Sequence, residues 1–262
     1  MHTGIVRVVI GLAVSTVLLA AGLTPVACAH PEDGDMIRVP GGAYRPFFRG
    51  RNGARSIPVG AFLLDREPVT RAHFAAFLAH AARWRKAQVS PLFAEPGYLE
   101  DWTSDRPAIA QEHAAVTNVS WFAARAYCEC EGKRLPTQAE WEWAASGAQP
   151  EPSAIRVASA RRTPQGGATH GVLRFAMGHP GVSGLAVGEI WEWTEDFDVP
   201  LVSNPSANES SSSLFCGDGF RATNAHDYAG FLRFSFRSSL KASYALRNLG
   251  FRCAQSHPGG ER

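Results

Sequence analysis

The run Gly132-Lys-Arg-Leu-Pro-Thr-Gln-Ala-Glu-Trp-Glu-Trp143 carries more structural instruction than any other stretch of this 262-residue chain. Gly132 closes one helix and Thr137 opens the next. Thr137-Gln-Ala-Glu140 has the capping-box form, a hydroxyl at the first position and a carboxylate three later, so that two orphan amides are satisfied reciprocally. Trp141, Ala144 and Ala145 continue an apolar stripe along that helix. Just upstream, Ser120 opens an earlier helix, to which Trp121, Ala124, Arg125, Tyr127 and Cys128 give one buried face.

Outward from this pair of helices, the pattern changes. Residues 35–44 read as a short strand running into a turn at Gly41-Gly42, and 57–64 as a second strand. Thr70 is placed to cap a helix with Phe74, Phe77 and Leu78 at helical spacing, ending near Arg85. Residues 87–115 hold three prolines and no sustained period, which predicts a long surface loop of the kind that shapes a site. Residues 148–167 read as loop, 190–193 as a strand, and 203–213 as a Ser/Asn-rich excursion. The stretch 231–236 alternates Phe, Leu, Arg, Phe, Ser, Phe in the manner of a strand, and 249–253 closes the last one. The sum is an α+β unit with high loop content.

The first 29 residues read as an export signal. Arg7 precedes an apolar run from Val8 to Leu23, and Ala27-Cys28-Ala29 offers small residues for cleavage. The run is shorter than the roughly 20 residues that span a bilayer. A mature domain of residues 30–262 is therefore expected, periplasmic or secreted, with no membrane attachment after cleavage. The chain is 45% hydrophobic and 19% charged, and its net charge is only +2. Such a balance fits a globular protein and offers no basic field to nucleic acid or an anionic membrane.

Four segments, residues 62–70, 119–143, 188–193 and 248–253, together resemble the formylglycine-generating enzymes, or sulfatase-modifying factors. The resemblance covers nearly all of the expected mature chain and implies one domain with a C-type-lectin-like fold. The residues also read on their own. Trp121, Trp141, Trp191 and Trp193 are large rings that require burial. Arg134, Glu140, Glu142 and Glu192 lie beside them, which predicts charge pairs tying the helices to the last sheet, a scaffold rather than a reacting centre.

The resemblance implies a chemistry as well: two cysteines five positions apart bind copper(I), and dioxygen oxidises a substrate cysteine to formylglycine. Counted back from Cys253 without gaps, those positions fall on Asn224 and Ala229. Neither carries sulfur, and a soft ion is not held by an amide and a methyl. Cys216 is the only cysteine between Cys130 and Cys253, so no other placement restores the pair. The calcium site that the resemblance implies keeps Glu192 and Gly188, but Leu185 replaces an asparagine ligand and supplies no oxygen.

After signal removal Cys128, Cys130, Cys216 and Cys253 remain, an even number suited to disulfides in an oxidising compartment, with three possible connectivities. The resemblance implies a Cys128–Cys253 bond. Cys130 and Cys216 are left as a second disulfide, or as a redox-active or metal-binding thiol pair. His226, Asp227 and Tyr228 fall in the loop where the copper cysteines would stand. One His and one carboxylate can begin a harder site for iron or copper(II), with Cys216 contributing; a solvated loop histidine is the plain alternative.

Two functional readings follow. In the first, the chain is an exported oxidoreductase or maturation factor acting on a periplasmic protein or peptide, with Cys216, His226, Asp227 and Tyr228 lining the cleft. Family relatives of the pyoverdine-maturation type and accessory proteins of copper-dependent denitrification make that setting plausible by resemblance. In the second, it is a non-catalytic, lectin-like binding module that uses residues 204–228, rich in Asn, Ser, Tyr and His, for adaptable polar contacts.

Overall fold

Three hydroxyl caps start the helices that organise the chain. The computed structural model describes residues 36–46, 48–49, 56–147, 156–158, 174–176, 190–199, 202–203 and 225–257. Thr70 accepts from the His73 amide and begins α1 (Arg71–His80), which buries Phe74, Phe77 and Leu78. Ser120 accepts from the Ala123 amide at the head of α2 (Trp121–Cys130). Thr137 and Glu140 form the complete capping box of α3 (Gln138–Ala145). The fourth described helix, α4 (Ala225–Ser238), lies late in the chain.

The strands are short. They are β1 (Met36–Val39), β2 (Gly42–Tyr44), β3 (Phe48–Arg49), β4 (Ile57–Val59) and β5 (Phe62–Asp65), then β6 (Arg156–Ala158), β7 (Arg174–Ala176), β8 (Trp191–Glu192), β9 (Val202–Ser203), β10 (Leu249–Gly250) and β11 (Ala254–Ser256). In the three-stranded sheet β5 lies between β1 and β11, antiparallel to both, with Leu64 opposite Ile37 on one side and Ala254 on the other. The two ends of the domain thus meet on one central strand. β8 and β10 pair in parallel, bringing Trp191 beside Leu249 and Glu192 beside Gly250.

Alternation along β5 buries Phe62 and Leu64 in one core cluster with Val39, Tyr44, Trp141 and Trp143. A larger cluster joins Phe74 and Phe77 of α1 to Tyr127 of α2, Trp193 and Phe251. The Phe251 ring meets Phe74 and Tyr127 nearly edge-on, at centroid distances of 6.1 and 5.4 Å, a favoured aromatic geometry.

Gly250 stands where no side chain fits: a Cβ there would lie 2.4 Å from the Val116 carbonyl oxygen. The obstacle is backbone, so neighbouring rotamers cannot relieve it. Gly250→Ala is expected to cost about 1–3 kcal/mol through overpacking. Urea unfolding of the variant measures it, and an unchanged midpoint would show that β10 can shift away from Val116.

Several elements depart from the sequence expectation. Residues 231–236 are helical, not a strand. A six-residue alternation suits either period, and the deciding feature is Arg233 and Arg237, whose i,i+4 spacing sends both to one buried carboxylate. His226, Asp227 and Tyr228 accordingly lie on the first turn of α4 rather than in a loop. α1 stops at His80, and a separate 3₁₀ turn (Ala82–Trp84) follows, which buries Trp84. Residues 87–115 are irregular, as expected, but they are not merely surface. Ala94, Tyr98, Leu99 and Trp102 are buried in the main core, because the segment carries its own apolar anchors. The expected export signal (residues 1–29), residues 204–213 of the Ser/Asn-rich stretch and Cys216 lie outside the described residues. Among the described residues, no helix is long and apolar enough to cross a membrane.

Candidate functional site

α4, which directly follows Asn224 and contains Ala229, is held by a buried ion cluster. Glu142, on α3, receives Arg233 Nε at 2.8 and 2.9 Å on its two oxygens and Arg233 Nη2 at 2.7 Å. Arg237 Nη1 donates to the same carboxylate at 2.6 Å, and the Tyr44 hydroxyl at 3.3 Å. All three charged side chains are buried. Burial alone would push the Glu142 carboxyl up. The two guanidinium groups outweigh it and hold the pKa at about 2. Arg233 is held above its ordinary range: burial opposes its charge and Glu142 overcomes that. The Tyr44 phenol is raised, by burial first and by Glu142 second.

A second ion pair lies across the Trp141 ring from the first. Trp141 Nε1 donates to Glu192 Oε2 at 2.7 Å, while Arg252 grips the same carboxylate through Nε at 2.7 Å and Nη2 at 2.8 Å. Arg233 and Arg237 sit 5.8 and 5.0 Å from the Trp141 ring centroid. Glu192 and Arg252 are fully buried. The carboxylate offered to calcium by the resemblance is thus committed, through both oxygens, to a guanidinium and an indole. Its charge is neutralised where it stands, and its role here is structural.

The Gly132–Thr137 turn gains a physical account. Lys133 Nζ reaches Asp65 Oδ1 at 2.8 Å, and Arg134 holds Glu140 through two bonds of 2.7 and 2.6 Å. Asp65 Oδ2 accepts the Cys253 amide at 2.9 Å. Beside it Cys253 is bonded to Cys128, with Cα atoms 5.6 Å apart and 125 residues between them in sequence. Cys130 is disulfide-bonded too. Its expected partner, Cys216, lies outside the described residues.

Copper(I) chemistry of the thiolate type does not fit this donor set. Ala229 belongs to α4 and Asn224 immediately precedes it; neither supplies sulfur. Every cysteine among the described residues is already oxidised to a disulfide. No group of three His, Cys, Asp or Glu able to hold a metal occurs among the described residues. His226, Asp227 and Tyr228 are consecutive residues on the first turn of α4. Sequence reasoning missed Arg233, Arg237 and Arg252 as anchors of the site. The i,i+4 arginine pair was the available signal.

A disulfide-stapled α+β scaffold, with its site helix locked by buried ion pairs and no thiol among its described cysteines, is the class of protein these features define. The model of the sulfatase-modifying factor enzyme 1-like domain matches residues 22–257, and the chain belongs to that family. Among relatives, the mouse (Mus musculus) protein named inactive C-alpha-formylglycine-generating enzyme 2 is 28% identical over 277 residues, covering 87% of this chain and 87% of its own. The formylglycine-generating enzyme of Streptomyces coelicolor is 27% identical over 308 residues, covering 93% of this chain and 96% of its own. Among solved structures, PvdO from Pseudomonas aeruginosa aligns with a TM-score of 0.47 and 17% identity, covering 85% of this chain and 94% of that one.

Proposed function

We propose that this chain is an exported family member that binds a protein or peptide partner and does not generate formylglycine. One observation carries the reading. By the resemblance, the copper-thiolate positions fall on Asn224 and Ala229, which carry no sulfur, and the described cysteines are held in disulfides. A family scaffold that keeps its core ion pairs while lacking its sulfur donors retains a surface for recognition and loses the soft-metal reaction. The mouse relative, whose name declares it inactive, supports the same division between scaffold and chemistry. The test is to incubate the mature chain with a Cys-x-Pro-x-Arg peptide, copper(I) and dioxygen and to analyse the peptide by mass spectrometry. No formylglycine above the protein-free control is expected, and no copper(I) retained against a bicinchoninate competitor. Turnover of the peptide would sink the reading.

A second reading keeps the chain as an oxidoreductase or maturation factor for a periplasmic protein or peptide. What favours it is the placement of His226, Asp227 and Tyr228 at the head of α4, a helix fixed to α3 at Arg233 and Arg237. Reacting groups need such a rigid support. Under this reading Cys216 lines the cleft as the disulfide partner of Cys130, and iron or copper(II) is the metal suited to an imidazole and a carboxylate. Metal analysis of untagged protein separates the two readings. Stoichiometric iron or copper that disappears in His226→Ala favours the enzyme, and its absence in both proteins favours the binder.

A further inference from the structure

Away from the ion clusters, an aromatic ladder runs from the core to the surface. Trp193 meets Phe197 with centroids 5.1 Å apart, Phe197 meets Trp121 at 6.0 Å, and Trp121 meets Phe122 at 5.4 Å. Phe122 continues to Phe93 at 5.1 Å, and Phe93 to Trp84 at 6.0 Å. The outer rings line a cavity of about 420 Å³ between α2 and residues 83–93. Its size falls in the range of roughly 300–1,000 Å³ typical of ligand pockets. Apolar side chains reach the surface beside it, Phe93 at 43% exposed and its chain neighbour Leu92 at 80%, while Gln88, Ser90 and Glu129 supply polar groups to the lining.

Two guanidinium groups flank this cavity, and they differ. Arg125 sits 5.3 Å from the Trp121 centroid and is already answered by Glu129 at 2.8 Å and Glu195 at 3.7 Å. Arg83 sits 5.3 Å from the Trp84 centroid, and among the described residues no carboxylate pairs with it. The mouth therefore presents an apolar pocket beside one unanswered positive charge. A second copy of the chain would bring the same aromatic rim and the same cation against themselves, which leaves the charge unanswered again.

Resting on the binding reading above, we propose that this groove holds an acidic peptide segment, seating a large apolar side chain among Trp84, Phe93, Trp121 and Phe122 and placing a neighbouring carboxylate on Arg83. Aromatic pockets supply the anchor energy of such interfaces, and the charge selects sequence and speeds encounter.

The test is fluorescence anisotropy on the mature chain with two labelled probes, Gly-Asp-Phe-Asp-Leu-Gly and its counterpart Gly-Lys-Phe-Lys-Leu-Gly. The acidic probe is expected to bind, more weakly as salt rises, and the lysine probe to bind less well. Phe93→Ser, at an exposed rim position, is expected to weaken the acidic probe about thirtyfold. Arg83→Glu is expected to weaken it at least about fivefold and to narrow the preference over the lysine probe. Unchanged melting temperatures show that both variants fold. Failure of the acidic probe to bind, equal binding of the two probes, or binding indifferent to both substitutions overturns the proposal. So does a dimer in sedimentation that Phe93→Ser dissolves, since the groove would then hold a second copy. The formylglycine assay reads the parent proposal separately, so each can fail without the other.

Discussion

Glu142→Gln is expected to lower the stability of the folded chain by about 3–5 kcal/mol, a large part of the 5–15 kcal/mol typical of a domain. The cost comes from what is left behind. Arg233 and Arg237 are 2% and 6% exposed at their side chains, and both direct their donors at the one carboxylate. An amide in its place offers one acceptor and no charge, so two buried cations beside the Trp141 ring are left without a counter-charge. Replacing all three residues together, as Glu142→Leu, Arg233→Met and Arg237→Met, is expected to cost much less than the single change, because no unpaired charge remains buried. Urea denaturation of the single and triple variants decides this. If the triple variant loses as much as Glu142→Gln, the cluster contributes net attraction and the penalty is not one of desolvation.

Acid dependence gives the same cluster a second signature. The Glu142 carboxyl titrates near 4.5 when unfolded and at about 2 when folded. A depressed carboxyl contributes fully above the unfolded value and loses its contribution as pH falls toward the folded one. The difference amounts to roughly 3 kcal/mol, lost between about pH 4.5 and pH 2. Glu142→Gln should therefore unfold with a flatter acid limb over that window.

How far the residues themselves disclosed this arrangement depends on the range of the interaction. Caps are local, and Thr70, Ser120 and Thr137 stand where the structure starts its helices. The pairing of Arg134 with Glu140, six residues apart, is as local, although the expectation was of charge pairs that tie the helices to the last sheet. Glu142 and Arg233 are separated by 91 positions, and nothing in a periodicity window reaches that far. The alternation of Phe and polar residues in 231–236 pointed to a strand until the tertiary partner of Arg233 and Arg237 fixed the helical period. The deep packing of residues 87–115 was concealed likewise, since Tyr98 and Leu99 are anchored by a fold the local sequence does not encode: the Leu99 amide donates to the carbonyl of Asn118. At the candidate site the missing sulfur followed from counting to the positions that the resemblance implies. The groove was not, because Trp84, Phe93 and Phe122 come from three separate segments that only the fold assembles.

The largest remaining effect is expected at the link between α2 and the last strands. Cys128 and Cys253 are separated by 125 residues, so their bond removes much of the freedom of the unfolded chain. The chain-entropy model gives about 5 kcal/mol for a loop of this length, and measured losses on removing native disulfides run from about 2 to 5 kcal/mol. Cys128→Ala with Cys253→Ala is expected to lose about 4 kcal/mol, a fall in melting temperature of roughly 8–16 °C for a domain of this size. The paired substitution is the informative one, because a lone thiol would be free to exchange with the Cys130 disulfide. The loss should appear in a mature chain whose Cys130 bond is intact, and added reductant should lower the wild type further still. Were the double alanine variant to melt within a degree or two of the wild type, the end of the domain would be held by the β5–β11 pairing, the hydrogen bond from the residue 253 amide to Asp65 and the Arg252–Glu192 pair. In that case the cross-link would constrain an unfolded state already drawn together by residual structure.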